Sequence, residues 1–263
     1  MSQGMSESGV YLYAVSRGLH ADDVDGLVGL QGDPVRVLDG HGLSAVVGDV
    51  GLDEFGDEGL RRNLEDLAWL EQVARQHDAV VRGVARRGVL APMRLATVFL
   101  NDDSVVERLG EWGSALQRAL DRVEGRSEWS VKVYVSLEEI EAEGRAAAHS
   151  RPAGGGAGAA YLQRRRSQIT QREDALGAAS ELGDSIYTRL AHSVAASRRL
   201  PPQDRRLTGH EGTMVLNAAY LVGHDDEATW TSTVDAIVAE RPQARVELQG
   251  PWPPYSFATV EDV

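Results

Sequence analysis

Side chains that could move protons or hold metal are thinly spread along this chain. Seven histidines stand at His20, His41, His77, His149, His192, His210 and His224. No two are four residues apart, so the His-x-x-x-His pair with which a helix grips zinc is missing. His77 stands out because it falls on an apolar helical seam and is followed by Asp78, a carboxylate that could orient an imidazole base. The more ordinary role of such a residue is a core histidine bonded to a carbonyl. Arg94, between Met93 and Leu95, needs an anionic partner in that apolar setting. Asp78 or Glu71 from the preceding helix could supply it, as could a bound anion.

Other chemistries lack their parts. There is no Gly-x-Ser-x-Gly nucleophile elbow. The carboxylate pairs Asp22-Asp23, Asp53-Glu54, Asp57-Glu58, Asp102-Asp103 and Glu138-Glu139 fall in loops or helix first turns, where they complement the helix dipole. None is spaced as a calcium loop. The run Pro152-Ala-Gly-Gly-Gly-Ala-Gly-Ala159 lacks the Gly-Lys-Ser/Thr ending of a phosphate loop and reads as a connector. The chain has no cysteine, which removes thiolate catalysis, disulfides and cysteine-held metal. The expectation is a protein that is not an enzyme, with no cofactor and no metal.

Composition agrees with a protein that folds and works in water. The 263 residues are 42% hydrophobic and 25% charged, enough for one large domain or two ordinary ones. No apolar run approaches the roughly 20 residues that cross a bilayer. The start, Met1-Ser-Gln-Gly-Met5, lacks the pattern of a signal peptide, so a cytoplasmic location is expected. A net charge of -13 disfavours nucleic acid and anionic membrane as partners. The charge is uneven: Asp22 to Glu58 is mostly acidic, whereas Ala160 to Arg206 holds nine arginines against five acids. Such a stretch is either a solvated helix face or a docking surface for an acidic partner.

The elements follow from periodicity. Residues 9–16, rich in β-branched and aromatic side chains, read as a strand. Val35–Leu38 and Leu43–Val47 flank Asp39-Gly-His-Gly42, a turn suited to a hairpin. A long helix is expected from Asp57 to Arg87, with Leu60, Leu64, Leu67, Leu70, Ala74, His77, Val81 and Val84 along one face. Met93–Phe99 reads as an irregular connection or edge strand. Asn101 can cap a helix running to Val123, and Trp129–Val135 is a strand. An acidic helix from Ser136 to His149 precedes the glycine run. Beyond it a helix is expected over Tyr161–Arg199, carrying Leu162, Ile169, Leu176, Ile186, Leu190 and Val194. Strands at 206–208 and 212–222, a helix over Asp226–Glu240 and a strand at Arg245–Gln249 complete the chain.

This order implies an α+β protein of two domains. The first, 1–136, is expected to be a ferredoxin-like antiparallel sheet with helices on one face. Residues 137–160 form an acidic helix and Gly-rich linker, and 161–249 an α+β domain with a long helix and a small sheet. Residues 250–263 are a tail rich in proline and aromatics. Its prolines at 251, 253 and 254 remove backbone donors and fix φ, which argues against sheet or helix there. Trp252, Tyr255 and Phe257 nevertheless concentrate aromatic surface in a chain only 6% aromatic. The tail must lie against its own domain or a partner.

Six segments in order resemble the gas vesicle protein GvpL/GvpF family, over about residues 9 to 258. They are Tyr11-Leu-Tyr-Ala-Val15, His77-Asp-Ala-Val-Val81, Leu90-Ala-Pro-Met-Arg-Leu-Ala-Thr-Val-Phe99, Trp129-Ser-Val-Lys-Val-Tyr134, Leu216-Asn-Ala-Ala-Tyr-Leu-Val222 and Gly250-Pro-Trp-Pro-Pro-Tyr-Ser-Phe257. One departure is visible. Where the family usually carries Phe-Gly, this chain has Leu95-Ala96, so a backbone angle that glycine permits is in question.

The resemblance implies an accessory or structural protein of gas vesicle assembly, located at the gas vesicle in the cytoplasm. Its implied partners are the small hydrophobic shell subunit GvpA and other accessory gas vesicle proteins. Within that expectation Trp252, Tyr255 and Phe257 are candidate partner-binding anchors. Arg164, Arg165 and Arg166 head an arginine-rich helix that could meet acidic partners. A sheet edge near Val131 or Val215 could accept a strand. The alternative is a small-molecule-binding or cofactor-free enzymatic ferredoxin-like protein.

Overall fold

A computed structural model describes residues 7–148, 157–203 and 212–258, with the side chains of 143–168 outside the described set. The chain forms two compact units. The first takes the residues up to Glu128 and those from Pro251 onward; the second spans Trp129–Gly250. The chain therefore returns to its first unit at the end.

In the first unit β1 (Ser8–Ser16), β2 (Arg36–Gly40), β3 (Leu43–Gly51), β4 (Leu90–Pro92) and β5 (Val98–Phe99) make one sheet, in the order β2-β3-β1-β4, with β5 also paired to β1. β1 runs antiparallel to β3, β4 and β5, and β2 antiparallel to β3. As expected, β2 and β3 form a hairpin closed by His41 and Gly42, with φ of 55° and 73°. Positive φ at both positions gives a turn whose twist suits the strands. A bulge between Leu12 and Ala14 shifts the register of β1 against β3.

The long first helix is broken. Short helices α1 (Leu52–Phe55) and α2 (Asp57–Asn63) precede α3 (Leu67–Ala85). Asp66 caps α3 by accepting from the amides of Ala68 and Trp69, and this new start rotates the buried face. Val73, His77, Val80, Val81 and Val84 are buried, whereas Leu64 and Leu67 of the expected seam are 49% and 72% exposed. The buried set packs on Tyr11, Tyr13, Val46 and Val50. Helix α4 (Asp102–Val123) starts at Asn101, whose side chain accepts from the Ser104 amide. It packs against β2, where a Cβ on Gly40 would meet Val106 and Leu109. Leu12, Ala45 and Val47, out of phase with the first core, are buried as well. The sheet is thus covered on both faces rather than on one.

The second unit holds α5 (Leu137–Ala148), α6 (Ala157–Ala191), β7 (Ala196–Arg199), β8 (Thr213–Gly223), α7 (Glu227–Glu240) and all but the outer ends of β6 (Arg126–Val135) and β9 (Ala244–Trp252), whose residues 126–128 and 251–252 belong to the first unit. Its sheet runs β7-β8-β6-β9. The α+β class with antiparallel sheets is as expected. However, the β-α-β-β-α-β order of a ferredoxin-like fold lies in this unit, because β6 joins the second sheet instead of closing the first. Local alternation marks β6 as a strand but does not say which sheet recruits it. Val131 consequently lies on an interior strand, and the outer strands are β7 and β9.

Helix α6 stops at Ala191, short of the expected Arg199. Residues 196–199 are good helix formers by propensity, yet they pair with 218–221 of β8, and Pro201 disfavours helix just before it. Ala179, Ile186 and Leu190 of α6 are buried, whereas Ile169 and Leu176 are exposed. Gly183 brings α6 close to β8: a Cβ there would lie 2.4 Å from the Val215 carbonyl oxygen. The expected strand at 206–208 lies outside the described residues.

Candidate functional site

The two histidine and arginine positions marked by sequence are placed very differently. His77, on the buried face of α3, is 3% exposed. Its Nδ1 lies 3.0 Å from the Tyr11 hydroxyl, and that hydroxyl also accepts the Ala96 amide at 2.9 Å. The phenol oxygen therefore joins the Ala96 amide and the imidazole, and either Nδ1 or the hydroxyl can be the donor between the last two. The Met93 backbone lies close enough to act on the ring, and Nε2 is buried without a hydrogen-bond partner. Burial lowers the imidazole pKa to about 4, with Asp78 and the Met93 carbonyl pulling weakly the other way. The ring is neutral at pH 7 and surrounded by Tyr11, Tyr13 and Tyr255. Burial also raises the Tyr11 phenol, and pushes Tyr13, whose oxygen accepts the Leu30 amide, up to about 12.

Asp78 does not orient His77. Its carboxylate accepts from Arg82 Nε at 2.5 Å and from the Tyr255 hydroxyl at 3.4 Å. Glu71 pairs with Arg75 one turn along. Arg94 is exposed. It stands in the bend Met93–Thr97, whose ends rejoin β1 through Met93 N to Tyr13 O and Leu12 N to Thr97 O. Ala96 holds φ of 64° in that bend. The backbone angle that glycine would provide is therefore kept by an alanine, at a steric cost.

The closing segment lies on the first unit. Strand β9 runs on through Gly250-Pro251-Trp252, a stretch expected to avoid a sheet; it can do so because an outer strand tolerates a proline. Beyond it, Ser256 donates its amide and hydroxyl to Glu128 at 2.7 and 2.6 Å. Glu128 is buried, so its charge is met where water is scarce. Arg122 donates to the Phe257 carbonyl at 3.2 Å, and the Arg82 guanidinium sits 4.0 Å above the Trp252 ring. Phe257 is 6% exposed, so its ring has no face free for another chain in this arrangement. Tyr255 packs on the first core, and Trp252 is half-buried under Arg82.

Arg164, Arg165 and Arg166 lie on α6, but their side chains fall outside the described set. Sequence reasoning did not find Glu128, Ser256, Arg82 or Arg122. Only the two adjacent polar residues in the Pro-aromatic run and the acid beside Trp129 hinted at such pairing. In the second unit, a groove of about 670 Å³ is lined by Ser136, Glu138, Glu139, Glu141 and Arg172 among others. Among the described residues no helix is long and apolar enough to cross a membrane.

Comparison with known proteins places these features. Residues 9–259 match the model of the family described as gas vesicle synthesis protein GvpL/GvpF. The chain is 42% identical over 257 residues to gas vesicle protein L of a Streptomyces species, covering 96% of this chain and 94% of that one. It is 27% identical to gas vesicle protein L2 of Halobacterium salinarum, over 95% and 91% of the two chains. Its fold matches the crystal structure of GvpF from an Anabaena species with a TM-score of 0.71 at 20% identity, over 97% of each chain. GvpF from Microcystis aeruginosa matches with a TM-score of 0.67 at 20% identity, over 96% and 99%.

Proposed function

The chain belongs to the GvpL/GvpF family of gas vesicle proteins, and we propose from that premise that it acts in gas vesicle assembly by binding, without catalysis. Its partners in this reading are the hydrophobic shell subunit GvpA and other accessory gas vesicle proteins. A small apolar subunit destined for a shell exposes edges and patches that aggregate before assembly, so a protein that covers them meets a physical need. The observation that carries the non-catalytic part is the burial of His77. An acid-base catalyst needs access to substrate and a pKa near working pH; His77 is walled in by three tyrosines, and burial lowers its pKa to about 4.

The competing reading, a small-molecule-binding or cofactor-free enzymatic protein, requires a polar pocket open to water at His77 or Arg94. The filled core around His77 speaks against it. The test is co-purification of the chain with the shell subunit from cells expressing both. Retention of the shell subunit above the level seen with an unrelated α+β protein is expected. Equal recovery with both baits, in the presence of the other gas vesicle proteins, would remove the binding reading.

A further inference from the structure

The segment Pro253–Ala258 is attached differently from the rest of the first core. Its four amide hydrogens make no ladder with a neighbouring strand. Tyr255 bonds to Pro253, Phe257 and Ala258 bond to Pro254, and Ser256 bonds to the Glu128 carboxylate. The segment is a self-contained turn, fastened by side chains: Ser256 to Glu128, Tyr255 to Asp78, and Arg122 to the Phe257 carbonyl. Such a piece can leave without unpairing the sheet. What it covers includes His77, whose ring centroid lies 6.2 Å from that of Tyr255.

We propose that Pro253–Ala258 is a proton-sensitive latch, opening from the first core as a unit below neutral pH because opening gives His77 access to water and a proton. The groups facing the imidazole leave it little charge compensation while the latch is shut. Tyr11 and Tyr13 approach from β1, Tyr255 from the latch itself and the Met93 carbonyl from beside β4. Asp78, its neighbour on α3, is committed to Arg82 and Tyr255. The sign follows. A buried base whose pKa is held at about 4 instead of 6.5 takes a proton more readily once exposed, so falling pH favours the open form.

The experiment is hydrogen exchange by mass spectrometry on the full chain, expressed as protection factors to remove the intrinsic pH effect. The peptide covering Tyr255–Ala258 should exchange ahead of α3, and its protection should fall by about tenfold per pH unit at most between pH 6.5 and 4. In His77→Gln, whose side-chain amide can still bond the Tyr11 hydroxyl in either direction, that fall should vanish. Exchange of the segment only together with α3, or an unchanged pH response in His77→Gln, would overturn the proposal. Should His77→Gln not fold, Ser256→Ala decides. It should loosen the segment at every pH while α3 keeps its protection, and equal loosening of both would count against a separate latch.

Discussion

The Tyr11 hydroxyl accepts the Ala96 amide while lying 3.0 Å from His77 Nδ1, and so ties a sheet strand, a strained bend and the long helix to one oxygen. Tyr11→Phe removes that oxygen with little change of shape. The Ala96 amide and the His77 nitrogen then lose their partner in a buried place. A loss of about 1–3 kcal/mol is expected, read from denaturant midpoints at constant m-value. A change within error would mean that water or relaxation replaces the hydroxyl.

Ala96→Gly should stabilise the protein. Alanine at φ 64° carries a steric penalty that glycine lacks, partly offset by glycine's greater freedom in the unfolded chain. The net gain expected is about 0.5–1 kcal/mol. Ala96→Val should move the midpoint the other way, since a β-branched side chain fits that backbone poorly.

Acid should destabilise the fold through His77. The imidazole pKa is about 4 in the folded chain and 6.5 when free, so between these values the unfolded state binds the extra proton. Stability should fall by about 1.4 kcal/mol at most for each pH unit across that window, and be insensitive to this group above it. Denaturation series at pH 7, 6 and 5 on the native chain and on His77→Gln isolate the histidine's share as the difference in slope.

Gly183→Ala should weaken the second unit. Its new Cβ would stand 2.4 Å from the Val215 carbonyl oxygen, so α6 and β8 must move apart. A cost of about 1–3 kcal/mol is expected, with loss of protection in β8 peptides ahead of β1. Gly177→Ala, at a position on the same helix open to space, is the matched control and should be neutral or slightly stabilising.

Local rules made some elements readable and left others hidden. The hairpin at Asp39-Gly-His-Gly42 and the Asn101 cap are chemical signals confined to a few residues, and both are where the sequence places them. The break at Asp66 was hidden because Leu64 and Leu67 continue a helical spacing that the cap interrupts. The strand 196–199 was hidden because alanine and arginine favour helix, and only pairing with β8 overrides them. The same holds for β6, whose sheet is chosen by contacts far along the chain. At the candidate site, His77 was visible as a polar residue on an apolar seam. Its partner Tyr11 was not, because a tyrosine in a strand signals burial without saying where its hydroxyl points. The departure at Leu95-Ala96 was visible, but not that the alanine would keep the glycine-like angle.

The most direct test of the account is removal of the gene from a vesicle-forming host, followed by electron microscopy and flotation. Vesicles should be absent or malformed, and should return when the chain is supplied from a plasmid, including as the His77→Gln variant if that variant folds. Normal vesicles in the deletion strain, with no paralogue expressed, would contradict an assembly role.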